Sequence, residues 1–239
     1  MTCSLFLKGG VIIRLVDSFK KNSIIKKAYK LFNQGKYIEA VKCYDKILEM
    51  DSNYANAWYG RGVALRELGK YHEALEASDK ALELDPLSSD IWTNKGVLLE
   101  KLGKYQEALE AYDKALEIDP NYVDAWNNRG STFEKLENHK EAIESYNKAL
   151  ELNPNYARAW YNKGYSFEKL ENHKEAIESY NKALKIDSKS VEAWHNKGIT
   201  LRKLENYQEA LKCFDKSLEL DPNFGPALKA KKEILESKK

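Results

Sequence analysis

Between Ala125 and Leu152 the apolar positions fall in two blocks. Trp126, Gly130, Phe133 and Leu136 step by three and four residues, and after a polar break Ala142, Ile143, Tyr146, Ala149 and Leu150 do the same. Such steps bring side chains to one face of an α-helix, so the pattern predicts two amphipathic helices, Ala125–Leu136 and His139–Leu152. The break is Glu137-Asn138 here and Gly-Lys at Gly35-Lys36, Gly69-Lys70 and Gly103-Lys104. Glycine or asparagine is what a left-handed helix exit favours. The second helix stops at Asn153-Pro154, as others do at Asp85-Pro86, Asp119-Pro120 and Asp221-Pro222, because proline disfavours helical geometry in the residue before it. Gly130, Ala142 and Ala149 let the two helices approach closely, and Trp126, Phe133 and Tyr146 fill the space beside them.

The same block recurs along the chain. Trp58, Trp92, Trp126, Trp160 and Trp194 are 34 residues apart, and Gly62, Gly96, Gly130, Gly164 and Gly198 each follow a Trp by four. A fixed period of this length marks an array of helical hairpins that bury their apolar faces against their neighbours. Residues 133–150 and 167–184 are identical, FEKLENHKEAIESYNKAL, the mark of an internal duplication. Partner recognition is therefore expected where the repeats differ.

Trp160, Gly164, Phe167, Ala176, Tyr180 and Ala183, with Trp92, Gly96, Ala108, Tyr112, Ala115 and Pro120, resemble the tetratricopeptide repeat. The resemblance covers Lys21 to Phe224 as six units, 21–54, 55–88, 89–122, 123–156, 157–190 and 191–224. Leu228 in the next Trp slot and Leu235 suggest a capping helix over 225–239. Several positions depart from the motif: Ile24 and Ala28 stand for Trp and Gly in the first unit, Ser78 for an aromatic, Ile91 for Ala, and Ser52 and Ser188 for Pro. The fold implied is all-α, a right-handed superhelical α-solenoid of antiparallel helix pairs. The function implied is a non-enzymatic scaffold that takes a peptide or protein segment in the concave groove lined by the first helices.

Carried over slot by slot, the groove positions include Tyr59, Asp90, Asn94, Asp124, Asn127, Asn128, Glu134, Arg158, Tyr161, Asn162, Tyr165, His195 and Asn196. Asn94, Asn128, Asn162 and Asn196 form one column, whose carboxamides offer donors and an acceptor to a peptide backbone. Some members of the family grip acidic chaperone tails with a clamp of Lys, Asn, Asn, Lys and Arg. The first-Lys slots here hold Ile25, Tyr59, Thr93 and Asn127, which argues against that partner.

A second column has a cation before each Gly slot: Lys27, Arg61, Lys95, Arg129, Lys163 and Lys197. Such a line could follow a phosphate backbone. The alternative is that each stem lies on apolar surface while its charge reaches water or an acid such as Asp85 or Asp119. A formal net charge of only +2 favours the alternative and argues against nucleic acid. Charge is uneven along the chain. Residues 1–54 hold ten Lys or Arg against five acids, 55–156 twelve against nineteen, and 157–239 seventeen against thirteen. With Asp90, Glu100, Asp124, Glu134 and Glu168 in groove slots, the central groove is expected to favour a neutral or basic segment.

Cys3, Cys43 and Cys213 are odd in number and without metal-ligand spacing, which suits a reducing, cytoplasmic setting and no disulfide framework. Residues 1–20 lie outside the repeat. Their apolar run is broken by Lys8, Arg14 and Asp17, too short to span a membrane, and Val11 to Phe19 suits an amphipathic helix capping the first unit. A second reading makes the chain a self-assembling module joined through that segment. His139 and His173 occupy a slot that is Tyr71, Tyr105 and Tyr207 elsewhere, which makes them turn-packing residues. No His, Cys or carboxylate set has triad or metal spacing, so neither catalysis nor a cofactor is expected.

Overall fold

The computed structural model describes residues 20–237, and the expectation of an amphipathic cap over 1–20 falls almost wholly outside them. Among the described residues the chain is helix and short turns. A first helix, α1, covers 20–33. The rest are α2 (Tyr37–Met50), α3 (Ala55–Glu67), α4 (Tyr71–Leu84), α5 (Ser89–Lys101), α6 (Tyr105–Ile118), α7 (Val123–Lys135), α8 (His139–Leu152), α9 (Ala157–Lys169), α10 (His173–Ile186), α11 (Val191–Lys203), α12 (Tyr207–Leu220) and α13 (Gly225–Ser237). The helices form two compact units, divided between Ile118 and Asp119. Each unit is a solenoid of helix pairs: α3 packs on α4, α5 on α6, α7 on α8, α9 on α10 and α11 on α12. Each pair meets its neighbour through α4 and α5, α8 and α9, or α10 and α11.

Alanine and tyrosine, rather than tryptophan, make the interior. Ala108, Ala142, Ala176 and Ala210 are fully buried, as are Tyr112, Tyr146, Tyr180 and Phe214. The rings press on the glycine of the facing first helix. A Cβ at Gly96, Gly130, Gly164 or Gly198 would lie 2.5, 2.5, 2.8 or 2.6 Å from Tyr112, Tyr146, Tyr180 or Phe214, closer than any Cβ contact tolerates. The exposed Lys232 occupies the corresponding slot of α13, which closes unit two by burying Ala227, Ala230 and Ile234 against Leu201, Cys213 and Phe214.

The tryptophans sit at the edge, half-buried, and act on the turns between hairpins. The indole N–H of Trp58, Trp92, Trp126, Trp160 and Trp194 donates to the carbonyl six residues earlier, on Ser52, Pro86, Pro120, Pro154 and Ser188, at 2.8 to 3.1 Å. Proline is not required there. The side-chain oxygens of Asp51 and Asp187 accept from the backbone N–H two residues on at 3.2 and 3.0 Å, as do those of Asp119 at 3.0 Å and Asn153 at 3.1 Å. This side-chain-to-backbone turn stops the helix whether serine or proline follows.

Two departures from the repeat motif are each met by a change at another position. Ala28 fills the slot that glycine holds elsewhere, and the ring of Tyr44 lies instead over Gly60, where a Cβ would come within 2.4 Å of it. Gly60 holds the register of the asparagine column. Ser78 stands where Tyr112 and its equivalents sit, and Asn94 fills part of the space left, donating to the Ser78 hydroxyl at 3.0 Å.

A candidate peptide-binding face

At 3.6 residues per turn, the second, fifth, sixth, ninth and twelfth positions of each first helix share one side, opposite the edge that carries Trp and the cation. In unit two this side of α7, α9 and α11 is laced together by side chains one repeat apart. Asn162 donates to Asn127 at 3.3 Å, and Asn196 to the Tyr161 hydroxyl at 3.0 Å. Ser166 donates to Glu134, and Lys203 pairs with Glu168. At its far end Arg202 pairs with Glu233 of α13. In unit one Arg66 donates to Asn94 at 2.7 Å in the same manner.

The asparagine column is therefore not a row of identical free carboxamides. Asn94 and Asn127 are buried, and Asn162 and Asn196 direct their amide groups at neighbouring helices. Asn128 is half-buried and accepts from Asn127 at 3.4 Å. Buried amides need partners, and the partners here come from the fold itself.

The acids of this face are held too. Glu134 has a side chain only 11% exposed, with Nδ1 of His139 at 3.1 Å and the Ser166 hydroxyl against its carboxylate. Asp124 is exposed and accepts from the Tyr156 hydroxyl at 2.7 Å; burial and that bond push the Tyr156 phenol up to about 12. In unit one Tyr59 is half-buried beside Asp90, its phenol raised first by burial and then by that negative charge.

Aromatic surface lies between these polar contacts. Tyr161 rests 6.0 Å from Tyr180, ring centre to ring centre, and burial followed by the charge of Glu192 raises its hydroxyl. Tyr165 is partly exposed, with Lys169 over its ring at 5.1 Å. Tyr161 forms a wall of two clefts. One, of about 420 Å³, lies toward Arg158, Asp187, Ser190 and Glu192, and the other, of about 230 Å³, toward Ser131, Glu134, Asn162 and Tyr165. His195 belongs instead to an aromatic box, its ring centre 5.7 Å from Phe214 and 5.4 Å from Phe224.

The cation column has partners other than those anticipated. Arg61 pairs with Asp45 at 2.8 Å, Lys95 with Asp79 at 2.7 Å and Lys231 with Asp215 at 2.6 Å, so the acid lies sixteen residues back on the preceding second helix rather than at Asp85 or Asp119. Arg61, Lys95, Arg129, Lys163 and Lys197 also lie over the indole of the tryptophan three residues earlier, 4.9 to 5.9 Å from its centre. The stems cover apolar surface, and acids meet the charges of Arg61 and Lys95, which weakens the support for a phosphate-tracking line. Arg66 is itself a groove slot, whereas Tyr156, Ser166 and Lys203 carry a signal only as side chains about one repeat from a groove residue, which a single helix does not display.

Comparison with known proteins places these features. Two family profiles described as tetratricopeptide repeat match the chain, one over 89–122, 123–156, 157–190 and 191–224 and the other over 25–89. A search of curated proteins found no match. Among solved structures, the chain is similar to YrrB, described as a tetratricopeptide-repeat protein with an unusual peptide-binding site. The two are 28% identical over 79% of this chain and 97% of that one, with a TM-score of 0.64. MamA residues 41 to end from Desulfovibrio magneticus RS-1 shares 23% identity over 72% and 97% of the two chains, TM-score 0.65. The type IV pilus biogenesis factor PilW shares 20% over 87% and 97%, TM-score 0.80; these last two likenesses concern the fold alone. Repeats of this kind are protein-interaction modules, and the profile matches span 25–224: the chain belongs to the tetratricopeptide-repeat family.

Proposed function

We propose that the chain is a non-enzymatic scaffold that binds an extended peptide or protein segment along the groove face of its first helices, centred in unit two on Tyr161. The observation that carries this reading is the pair of clefts that Tyr161 separates on one side of α9. An extended chain sends alternate side chains to opposite sides, so two pockets divided by an aromatic wall suit successive anchors, with Asn128 and the side-chain oxygens of Asn162 and Asn196, whose amide groups serve the fold, along the path for its backbone. The likeness to a protein described as having a peptide-binding site is in keeping with it.

The segment is neutral or basic where it crosses this face. Asp124 and Glu192 are exposed, whereas Glu134 and Glu168 are shielded by His139 and Lys203, so the first two acids set the preference. A labelled peptide array graded in charge tests this by fluorescence anisotropy. Basic or neutral peptides are expected to bind, and Tyr161→Ala to weaken them by about 2 kcal/mol with helicity unchanged. Glu192→Lys should slow association, most at low salt. Equal binding of acidic and basic peptides, or indifference to Tyr161→Ala, would overturn the reading.

A further inference from the structure

We propose that unit two carries a separate binding site for acidic side chains, a surface patch formed by Trp160 with Lys163 and Lys182 over its ring and Lys185 one turn beyond Lys182, on the edge of α9 opposite the groove face. The argument rests on what the same positions do in sister repeats. The cation before the Gly slot meets an aspartate sixteen residues back, as Arg61, Lys95 and Lys231 do with Asp45, Asp79 and Asp215. A second lysine, on the second helix, meets a glutamate three residues on: Lys80 with Glu83, Lys114 with Glu117, Lys148 with Glu151 and Lys216 with Glu219.

In the fifth repeat both acids are gone at once. Asn147 stands sixteen residues before Lys163, and Lys185 stands three after Lys182. Both ammonium groups lie over the same indole, 4.9 and 4.2 Å from its centre, so their separation is at most about 9 Å, where salt screens their repulsion only in part. Burial of Lys163, together with the Lys182 charge, lowers its affinity for a proton, and no carboxylate contributes in the other direction. The nearby acids do not restore neutrality. Glu151 is held by Lys148, and Glu178, one turn before Lys182 on α10, is exposed and single.

The corresponding position in unit one is a cleft of about 670 Å³ whose lining includes Asp45, Glu49, Trp58, Arg61, Glu76 and Lys80. There the acids are built in. In repeat five the cations remain and two acids are missing, so the ligand supplies them in trans. Carboxylate is the favoured group because it is what these lysines hold elsewhere in this chain, at 2.5 to 3.1 Å. A partner would present two acidic side chains close together, their methylenes on the indole face. This surface is distinct from the proposed peptide groove and does not depend on it.

The test follows the indole N–H resonances of the five tryptophans in the full chain as capped tetraglutamate is added at fixed ionic strength. Capped tetraglutamine and inorganic phosphate are run in parallel. A saturable shift is expected largest at Trp160 and smaller at Trp194, whose Lys197 has Asn181 rather than an aspartate sixteen residues back while Lys216 keeps its glutamate, with little at Trp58 and Trp92. Asn147→Asp with Lys185→Glu restores the residues of the sister repeats, so the fold is kept, and it should weaken binding about tenfold or more. The reverse pair, Asp45→Asn with Glu83→Lys, should move a response to Trp58. Equal shifts at all five indoles, a stronger response to phosphate than to tetraglutamate, or an unchanged affinity in the restored variant would each overturn the proposal.

Discussion

Single residues carry two features that the repeat motif conceals. The first helices of the hairpins exit through a left-handed residue, which is glycine at Gly35, Gly69 and Gly103, with φ of 72° to 75°, but glutamate at Glu137, Glu171 and Glu205, with φ of 59°, 60° and 58°. The strained residue is the glutamate and not the asparagine beside it, because the turn puts the positive φ at the register where glycine sits in the other hairpins. A side chain there costs about 1 to 2 kcal/mol, part of which glycine loses again through its freer unfolded chain. Glu137→Gly is therefore expected to raise stability by about 0.5 to 1 kcal/mol, measurable by urea unfolding. A loss of stability would show that the glutamate makes a contact outweighing its strain.

His195 is the second. Its ring is held between Phe214 and Phe224, its Nδ1 is buried without a hydrogen bond among the described residues, and burial, then the nearby Arg202, lower its proton affinity from the usual 6.5. The unfolded chain takes up a proton near pH 6.5 while the folded one does not. The sign follows: stability is full above that pH and falls as pH drops below it. His195→Phe should remove this part of the acid sensitivity, so that the melting temperature of the variant rises relative to that of the parent between pH 7.5 and pH 5.5. Parallel melting curves across that range would refute the assignment.

At the scale of elements, hairpins that share a motif have different tolerances. In α7 a methyl at Gly130 would strike the Tyr146 ring at 2.5 Å, whereas at Gly62 in α3 the nearest atoms are the Ala74 carbonyl and the Ser78 hydroxyl, both at 3.2 Å. Overpacking of a filled interior costs about 1 to 3 kcal/mol, and glycine within a helix already forfeits about 0.5 to 1 kcal/mol relative to alanine. Gly130→Ala is thus expected to destabilise by about 2 kcal/mol, and Gly62→Ala to leave stability within about 0.5 kcal/mol. Chemical denaturation of the two variants separates them, and equal losses would mean that the aromatic partner is not what makes the slot selective.

For the whole molecule, the repeat architecture makes stability a matter of neighbours. Removing 225–239 uncovers Leu201, Cys213 and Phe214, since Ala227, Ala230 and Ile234 of α13 bury them. Hydrogen exchange should quicken first in α11 and α12, with α3 and α4 protected nearly as before. Uniform loss of protection would show that the chain unfolds as one block.

Length, periodicity and small-residue spacing sufficed to read the helical hairpins and the solenoid class, because each hairpin is a local object whose helices follow from steps of three and four and whose close contacts need Gly or Ala. The same locality let the sequence point to the face on which Asp124, Tyr161 and Tyr165 lie. What the tertiary structure decided was where polar groups spend their bonds: that Asn94 and Asn127 are buried, that Glu134 is shared between His139 and Ser166, and that Arg61 finds Asp45 rather than Asp85. It also decided that Tyr44 turns toward Gly60 because Ala28 occupies its usual place. Apart from Glu134 with His139, these are contacts between residues 16 to 35 apart in sequence. Their partners are chosen by the register of one hairpin against the next, which a period in the sequence announces but does not draw.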